Sequence, residues 1–153
     1  MKIIGAIATA AVLVASPASS TPARPALLRY PMPPTNGTPA PFSKAVRAGD
    51  VLYLSGVIGR TLDGTVPDGI EAQTKAVMDA IGATLKSAGL GYRDLFHCTV
   101  FLSDMKNWPA FNKVYVGYFP EGELPARSAL GVNGLALPGA LMEIECQAYA
   151  GGK

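Results

Sequence analysis

The sequence predicts an α/β domain in which a mixed sheet carries two helices on one face. Three observations lead to that expectation. Short β-branched and aromatic runs alternate with two stretches of helical period, in the order strand, helix, strand, helix, strand, strand. The last run, LMEIECQAY, alternates apolar and polar residues, so one of its faces is covered and the other is not. The chain has 153 residues, 49% hydrophobic and 16% charged, which suits a single domain with its own core.

The N-terminus stands apart. MKIIGAIATAAVLVASPASS joins one Lys2 to a short apolar run and a small-residue zone, the layout of a secretory signal over residues 1–18. A retained membrane anchor is the competing reading, although the run is short for a bilayer span. Eight of the thirteen prolines fall between Pro17 and Pro41, so residues 19–41 read as an extended Pro-rich linker or N-terminal extension and residues 42–153 as the domain, whose start falls near Leu27 or Pro41. The mature chain is therefore expected to be exported, into a periplasm-like compartment, with no membrane contact after cleavage.

Within the domain, Ala48-Gly49-Asp50 is turn-like and VLYLSG is a strand ending at Gly56. After a loop with Asp63-Gly64 and Pro67, residues Ile70, Thr74, Val77, Ile81, Leu85 and Ala88 fall on one helical stripe. Asp68 and Glu71 resemble a capping box, and Gly89 is a natural stop. In the strand DLFHCTVFLSD, Cys98, Val100 and Leu102 share one face and His97, Thr99 and Phe101 the other. Trp108-Pro109 opens a second helix whose apolar face holds Phe111, Val114, Tyr115 and Tyr118. ARSALGV and LMEIECQAYA complete the sheet. Met142, Ile144, Cys146 and Ala148 then point to the helices, and Glu143, Glu145 and Gln147 to the uncovered face.

Chemistry is sparse. Net charge is +2 with Lys and Arg scattered, which argues against a nucleic-acid partner. The chain has no CxxC, HExxH, P-loop or dinucleotide-binding pattern, and the lone His97 reads as a structural strand residue. Cys98 and Cys146 are either a disulfide or two buried thiols. What remains is Arg127 with Glu143 and Glu145, the only charged residues between Leu124 and Ala150. A guanidinium fork matches a carboxylate, and a desolvated glutamate can act as general base or hold a water. On composition alone a structural Arg127–Glu143 ion pair is the plainer reading.

P-A-R-S at 125–128, G-V at 131–132, L-P-G-A-L-M-E-I-E at 137–145, L-S-G at 54–56 and T-V-F-L-S-D at 99–104 resemble the RidA (YjgF) family of reactive-intermediate deaminases. The resemblance covers essentially the whole mature domain. It implies a chorismate-mutase-like fold and a homotrimer with sites in the clefts between subunits. It also implies hydrolysis of small enamine and imine carboxylates, such as 2-aminoacrylate and 2-iminopropanoate, to a 2-keto acid and ammonia without cofactor or metal. The family's carboxylate-binding arginine falls on Arg127 and its water-holding glutamate on Glu143. The serine before glycine falls on Ser55, with Gly56 after it, and the helix asparagine falls on Asn112. Two positions depart from the family pattern. An active-site tyrosine is replaced by Phe42, which keeps the ring and loses the hydroxyl, and a cysteine by Ala129, which leaves no thiol there. Backbone groups near Gly56 and Ala129 are expected to orient the substrate. The runner-up expectation is a module that binds small carboxylates or 2-keto acids in the same clefts without turnover.

Overall fold

The computed structural model describes residues 26–34, 37–61 and 63–152; the signal assigned to residues 1–18 lies outside them. The elements are β1 (Leu27–Pro31), β2 (Ser43–Ala48), β3 (Val51–Leu54), β4 (Val57–Ile58), α1 (Ile70–Ser87), β5 (Leu95–Leu102), α2 (Trp108–Tyr115), β6 (Ala126–Gly131) and β7 (Met142–Tyr149). The sheet order is β1-β2-β3-β7-β5-β6, with β4 also pairing β7. Only β5 and β6 run parallel, joined by the crossover through α2, so the sheet is mixed and the predicted fold class holds.

Residues Leu27–Pro31, grouped by composition with the Pro-rich linker, form the edge strand β1 antiparallel to β2. Leu27, Leu28 and Tyr30 supply β-forming side chains that a proline count conceals. The register turns Tyr30, opposite Ala45, toward the core.

The helical stripe is where the spacing places it: Ile70, Thr74, Val77, Ile81 and Leu85 are all buried. The Asp68–Glu71 capping box does not form. Gly69 is the N-cap, in the left-handed region at φ 80°, so the reciprocal position is Ala72 and neither residue carries a capping group. The C-terminus ends as expected. Gly89, at φ 73°, donates to Lys86 O and Leu90 donates to Leu85 O, which is the Schellman arrangement.

Both helices lie on one side of the sheet, and the core sits between them. Leu95, Cys98, Val100 and Leu102 of β5 and Met142, Ile144, Cys146 and Ala148 of β7 are buried there. Gln73 of α1 is 1% exposed. Its amide donates to Pro67 O and Gly139 O, each at 3.0 Å, and accepts from Leu141 N at 2.8 Å. That fixes the loop leading into β7.

The two cysteines are register partners across the β5–β7 ladder. Their Cα atoms lie 4.1 Å apart and their sulfurs are bonded, which resolves the cysteine question in favour of a pair. The bridge is buried and closes a 48-residue separation. Chain entropy gives such a loop about 4 kcal/mol of stabilisation. The Cys98→Ala/Cys146→Ala double variant should lose up to that amount in a denaturant titration, and wild-type protein unfolded under reducing conditions should match it.

Candidate functional site

Arg127 is set by the parallel pairing of β6 with β5. It is the register partner of Cys98, as Ala129 is of Val100, so both side chains turn to the helix side. There α2 presents Trp108, Phe111, Asn112 and Tyr115, spaced i, i+3, i+4 and i+7 on one helical face. The guanidinium carbon lies 4.6 Å from the Trp108 ring centre, 4.5 Å from that of Tyr115 and 5.5 Å from that of Phe111. Nη2 donates to Asn112 Oδ1 at 2.8 Å.

Two polar atoms in this nest are buried without a hydrogen-bond partner, Arg127 Nη1 and the Tyr115 hydroxyl. Lys75–Asp79 and Lys113–Glu71 form ion pairs, and among the described residues no carboxylate is found paired with Arg127. Burial pushes the Tyr115 hydroxyl up to about 12 against the opposing pull of Arg127, so it stays protonated at neutral pH. A cavity of about 180 Å³, lined by Tyr115, Val116, Leu124, Pro125 and Arg127, opens beside the guanidinium. A partly buried cation with an unpaired inner donor and no carboxylate partner among the described residues is chemically a receptor for an anion.

Glu143 is set by β7 and faces the other way. Its register partners are Phe101 on β5 and Ile58 on β4. Between β3 and β4 the pairing with β7 is interrupted at Ser55–Gly56, and the Glu143 carboxylate fills the space beside Gly56. A Cβ built on Gly56 would fall 1.8 Å from Glu143 Oε1. Desolvation, and then the charge of Glu145 on the same face, raise Glu143 above its ordinary value of 4.5. A carboxylate so placed is a better proton acceptor than a free one.

Of the remaining predicted residues, the structure brings Asn112 to Arg127 and Gly56 to Glu143. Asn112 holds Arg127 directly. Ser55 and Gly56 border Glu143, but the Ser55 hydroxyl is committed as donor to Ser43 O at 2.7 Å. Phe42 lies just before β2 and is 51% exposed. The Ala129 side chain packs against the core, so only its backbone can meet a ligand; β6 is an edge strand and leaves such groups unpaired.

The plain Arg127–Glu143 ion pair is not made. Arg127 sits level with Cys98, and Glu143 level with Phe101, on strands either side of β5. Two strand spacings and a three-residue offset separate their Cα atoms by about 14 Å, and the side chains leave opposite faces of the sheet. Within one chain the candidate site is two half-sites. The period-two pattern of ARSALGV could not reveal this, because Ala126 and Ser128 are as small on one face as Ala129 is on the other. The sequence also left Trp108 as the start of α2 and Tyr115 as part of its apolar face, and gave Gln73 no role. The signal for the first two was the i, i+7 spacing around Asn112.

Gly56→Ala should fold with stability close to wild type, since the displaced atom is the end of a flexible side chain. It should nevertheless move the carboxylate toward water and lower the Glu143 titration toward 4.5. Carbon-detected NMR of the Glu143 carboxyl reads that shift directly.

Residues 35–150 match the family model described as Endoribonuclease L-PSP. The chain is 38% identical over 116 residues to the mouse 2-iminobutanoate/2-iminopropanoate deaminase, covering 72% of this chain and 82% of that protein. It is 38% identical over 118 residues to the 3-aminoacrylate deaminase RutC of Acinetobacter baylyi, covering 74% and 92%. It spans 57% of the length of the chloroplastic Reactive Intermediate Deaminase A of Arabidopsis thaliana, at 36% identity over 108 residues, 69% of this chain. The crystal structure of yeast Mmf1 superposes with a TM-score of 0.72 at 31% identity, over 81% of this chain and 98% of that one. With the family model matching residues 35–150 and relatives at 38% identity over most of their length, the chain belongs to the Endoribonuclease L-PSP, or RidA/YjgF, family.

Proposed function

We propose that the protein is a hydrolytic deaminase of small 2-imino acids and their enamine tautomers, of the 2-aminoacrylate and 2-iminopropanoate type. The observation that carries this reading is the partly buried guanidinium of Arg127, which has no carboxylate partner among the described residues and whose buried Nη1 has no hydrogen-bond partner. In the proposed reaction Arg127 binds the substrate carboxylate. An enamine first takes a proton at its terminal carbon and becomes the imine. Glu143 holds a water, accepts its proton as the oxygen bonds to the imine carbon, and passes that proton to nitrogen. The carbinol hydroxyl then gives up its proton, which Glu143 relays to the amino nitrogen as the carbon–nitrogen bond breaks, releasing ammonia and the 2-keto acid. Water supplies every atom gained, so the scheme uses no cofactor. Positioning one water against an already electrophilic carbon supplies much of the acceleration.

Because the two groups leave opposite faces of one chain, the complete site needs more than one copy. In this reading Arg127, on the edge strand β6 of one copy, meets Gly56 and Glu143 of the next, and head-to-tail closure of such a contact gives a ring, here a homotrimer. Export to an oxidising, periplasm-like compartment is part of the proposal. The Cys98–Cys146 bridge and the leader pattern of residues 1–18 support it. Nucleic acid has no part in the reading, as basic residues form no stripe.

A dehydratase that releases 2-aminoacrylate provides the assay. Wild-type protein should speed keto-acid formation. Arg127→Ala should lower kcat/KM about a hundredfold, as expected for a lost charge-assisted pair, and Glu143→Gln at least a hundredfold, as expected for a lost base (about 10²–10⁴). Mixing the two inactive chains under exchange should restore about one quarter of the activity if each site takes its two groups from neighbouring copies. No recovery would place both groups in one copy. Arg127-dependent binding of pyruvate without turnover would instead make the protein a carboxylate-binding module.

The acid limb of kcat/KM reports Glu143, which must be ionised to act. Its proton is held more tightly than usual, so activity should fall as pH drops through a window above 4.5. Glu145→Gln removes the neighbouring like charge and should move that limb to lower pH.

A further inference from the structure

The proposed role of Arg127 rests on a guanidinium that points reliably toward a ligand, and nothing anionic holds it there. Its geometric hydrogen-bond acceptor among the described residues is Asn112 Oδ1, and the Tyr115 hydroxyl lies close enough to feel its charge. Its other close neighbours are ring faces. Trp108 and Tyr115 are two helical turns apart and flank the guanidinium at 4.6 and 4.5 Å, with Phe111 between them at 5.5 Å. The rings support one another: Trp108 stacks on Phe111 at 5.6 Å, and Phe111 packs on Tyr115 at 5.3 Å.

We propose that Trp108 and Tyr115 are positioning residues that clamp Arg127 by its faces and leave its edge donors free for the ligand's carboxylate. The physical distinction is between two ways of fixing a cation. A carboxylate partner would hold Arg127 firmly, but it would occupy the same N–H donors and cancel the same charge that an anionic ligand needs. An aromatic face attracts the cation through its quadrupole, uses no N–H and carries no net charge. The rings therefore preorganise the fork without competing for it, and the ligand does not have to order a long side chain on binding. Asn112, a neutral acceptor, fixes the rotation of the fork at Nη2 and leaves Nη1 unpaired.

The two rings divide the work. Tyr115 is 2% exposed and belongs to the core, so its ring is fixed by packing. Trp108 is only partly buried at the start of α2. Its indole is thus the part of the clamp that can be altered without opening the core.

The inference rests on the carboxylate-binding role given to Arg127, and binding measurements separate the failure of one from the failure of the other. Trp108 is the only tryptophan of the chain, so its fluorescence reports on the clamp. Pyruvate is the probe, and the full chain is used throughout. Pyruvate should change the emission of the wild-type protein saturably, and calorimetry should give the same Kd. Trp108→Leu should weaken pyruvate binding about tenfold, the scale of a partly desolvated cation–π contact. It should raise KM in proportion, hold kcat within about twofold and leave the melting temperature close to wild type. Trp108→Phe should restore binding, because a ring face is what the clamp requires. Tyr115→Phe, which keeps the ring, should bind pyruvate like wild type. If Trp108→Leu binds as tightly as wild type while Arg127→Ala does not bind, the clamp is overturned and the carboxylate site stands. If Arg127→Ala also binds like wild type, the site assignment itself falls.

Discussion

The fold depends on one constraint: helices cover a single face of the sheet, and β5 decides which residues fall on which side. Leu95, Cys98, Val100 and Leu102 of that strand are buried under the helices, and its neighbours β6 and β7 inherit their facing from it. Arg127, level with Cys98, goes to the covered side. Glu143, level with Phe101, goes to the open side. A slip of one residue in either ladder would exchange the faces and expose part of the core. The hydrophobic effect that fixes the register therefore also fixes the chemistry.

That register leaves both charged groups incomplete. An arginine and a glutamate within reach of each other would pair and satisfy both; across a sheet they cannot. Arg127 keeps its charge among aromatic rings, and Glu143 stays desolvated beside Glu145, a like charge. The second arrangement carries a stability cost with a definite sign. A carboxyl titrating above 4.5 in the folded state binds its proton more tightly there than in the unfolded chain. Folding is thus favoured as pH falls through that window and disfavoured by the ionised group above it. The buried disulfide and the two-helix core act in the opposite direction. Strained electrostatics held in place by a strong frame is a common mark of a site built for a ligand.

Much of this was legible in the chain. The stripe from Ile70 to Leu85 and the alternation of Met142 to Tyr149 were read from period alone, because each periodicity has one geometric cause. Local chemistry was legible where one residue decides it, as at Gly89. It failed where two elements compete: Gly69 took the N-cap from Asp68, and β1 formed within a stretch whose prolines suggested a linker. The separation of Arg127 from Glu143 was not legible at all. It follows from β6 pairing parallel to β5, a tertiary fact, and the small residues of ARSALG give no hint of facing. Trp108 was visible as a helix start and Tyr115 as part of an apolar face, yet an arginine as the object they pack against was not.

The two half-sites are also held by different means. Glu143 is fixed from three sides. Gly56 gives its carboxylate room, Gln73 pins the Gly139–Leu141 turn that leads into it, and the bridge at Cys146 ties β7 to β5 three residues later. Arg127 sits on an edge strand and takes its order from α2. Each half is formed within one chain, so in the proposed reading bringing the halves together would order few side chains. The glycine at 56 shows how specific the arrangement is. Its backbone adopts no left-handed conformation, so flexibility does not explain it; the carboxylate occupies the volume a side chain would need. A position that looks like a turn residue in the sequence is, in the fold, the floor on which the glutamate rests.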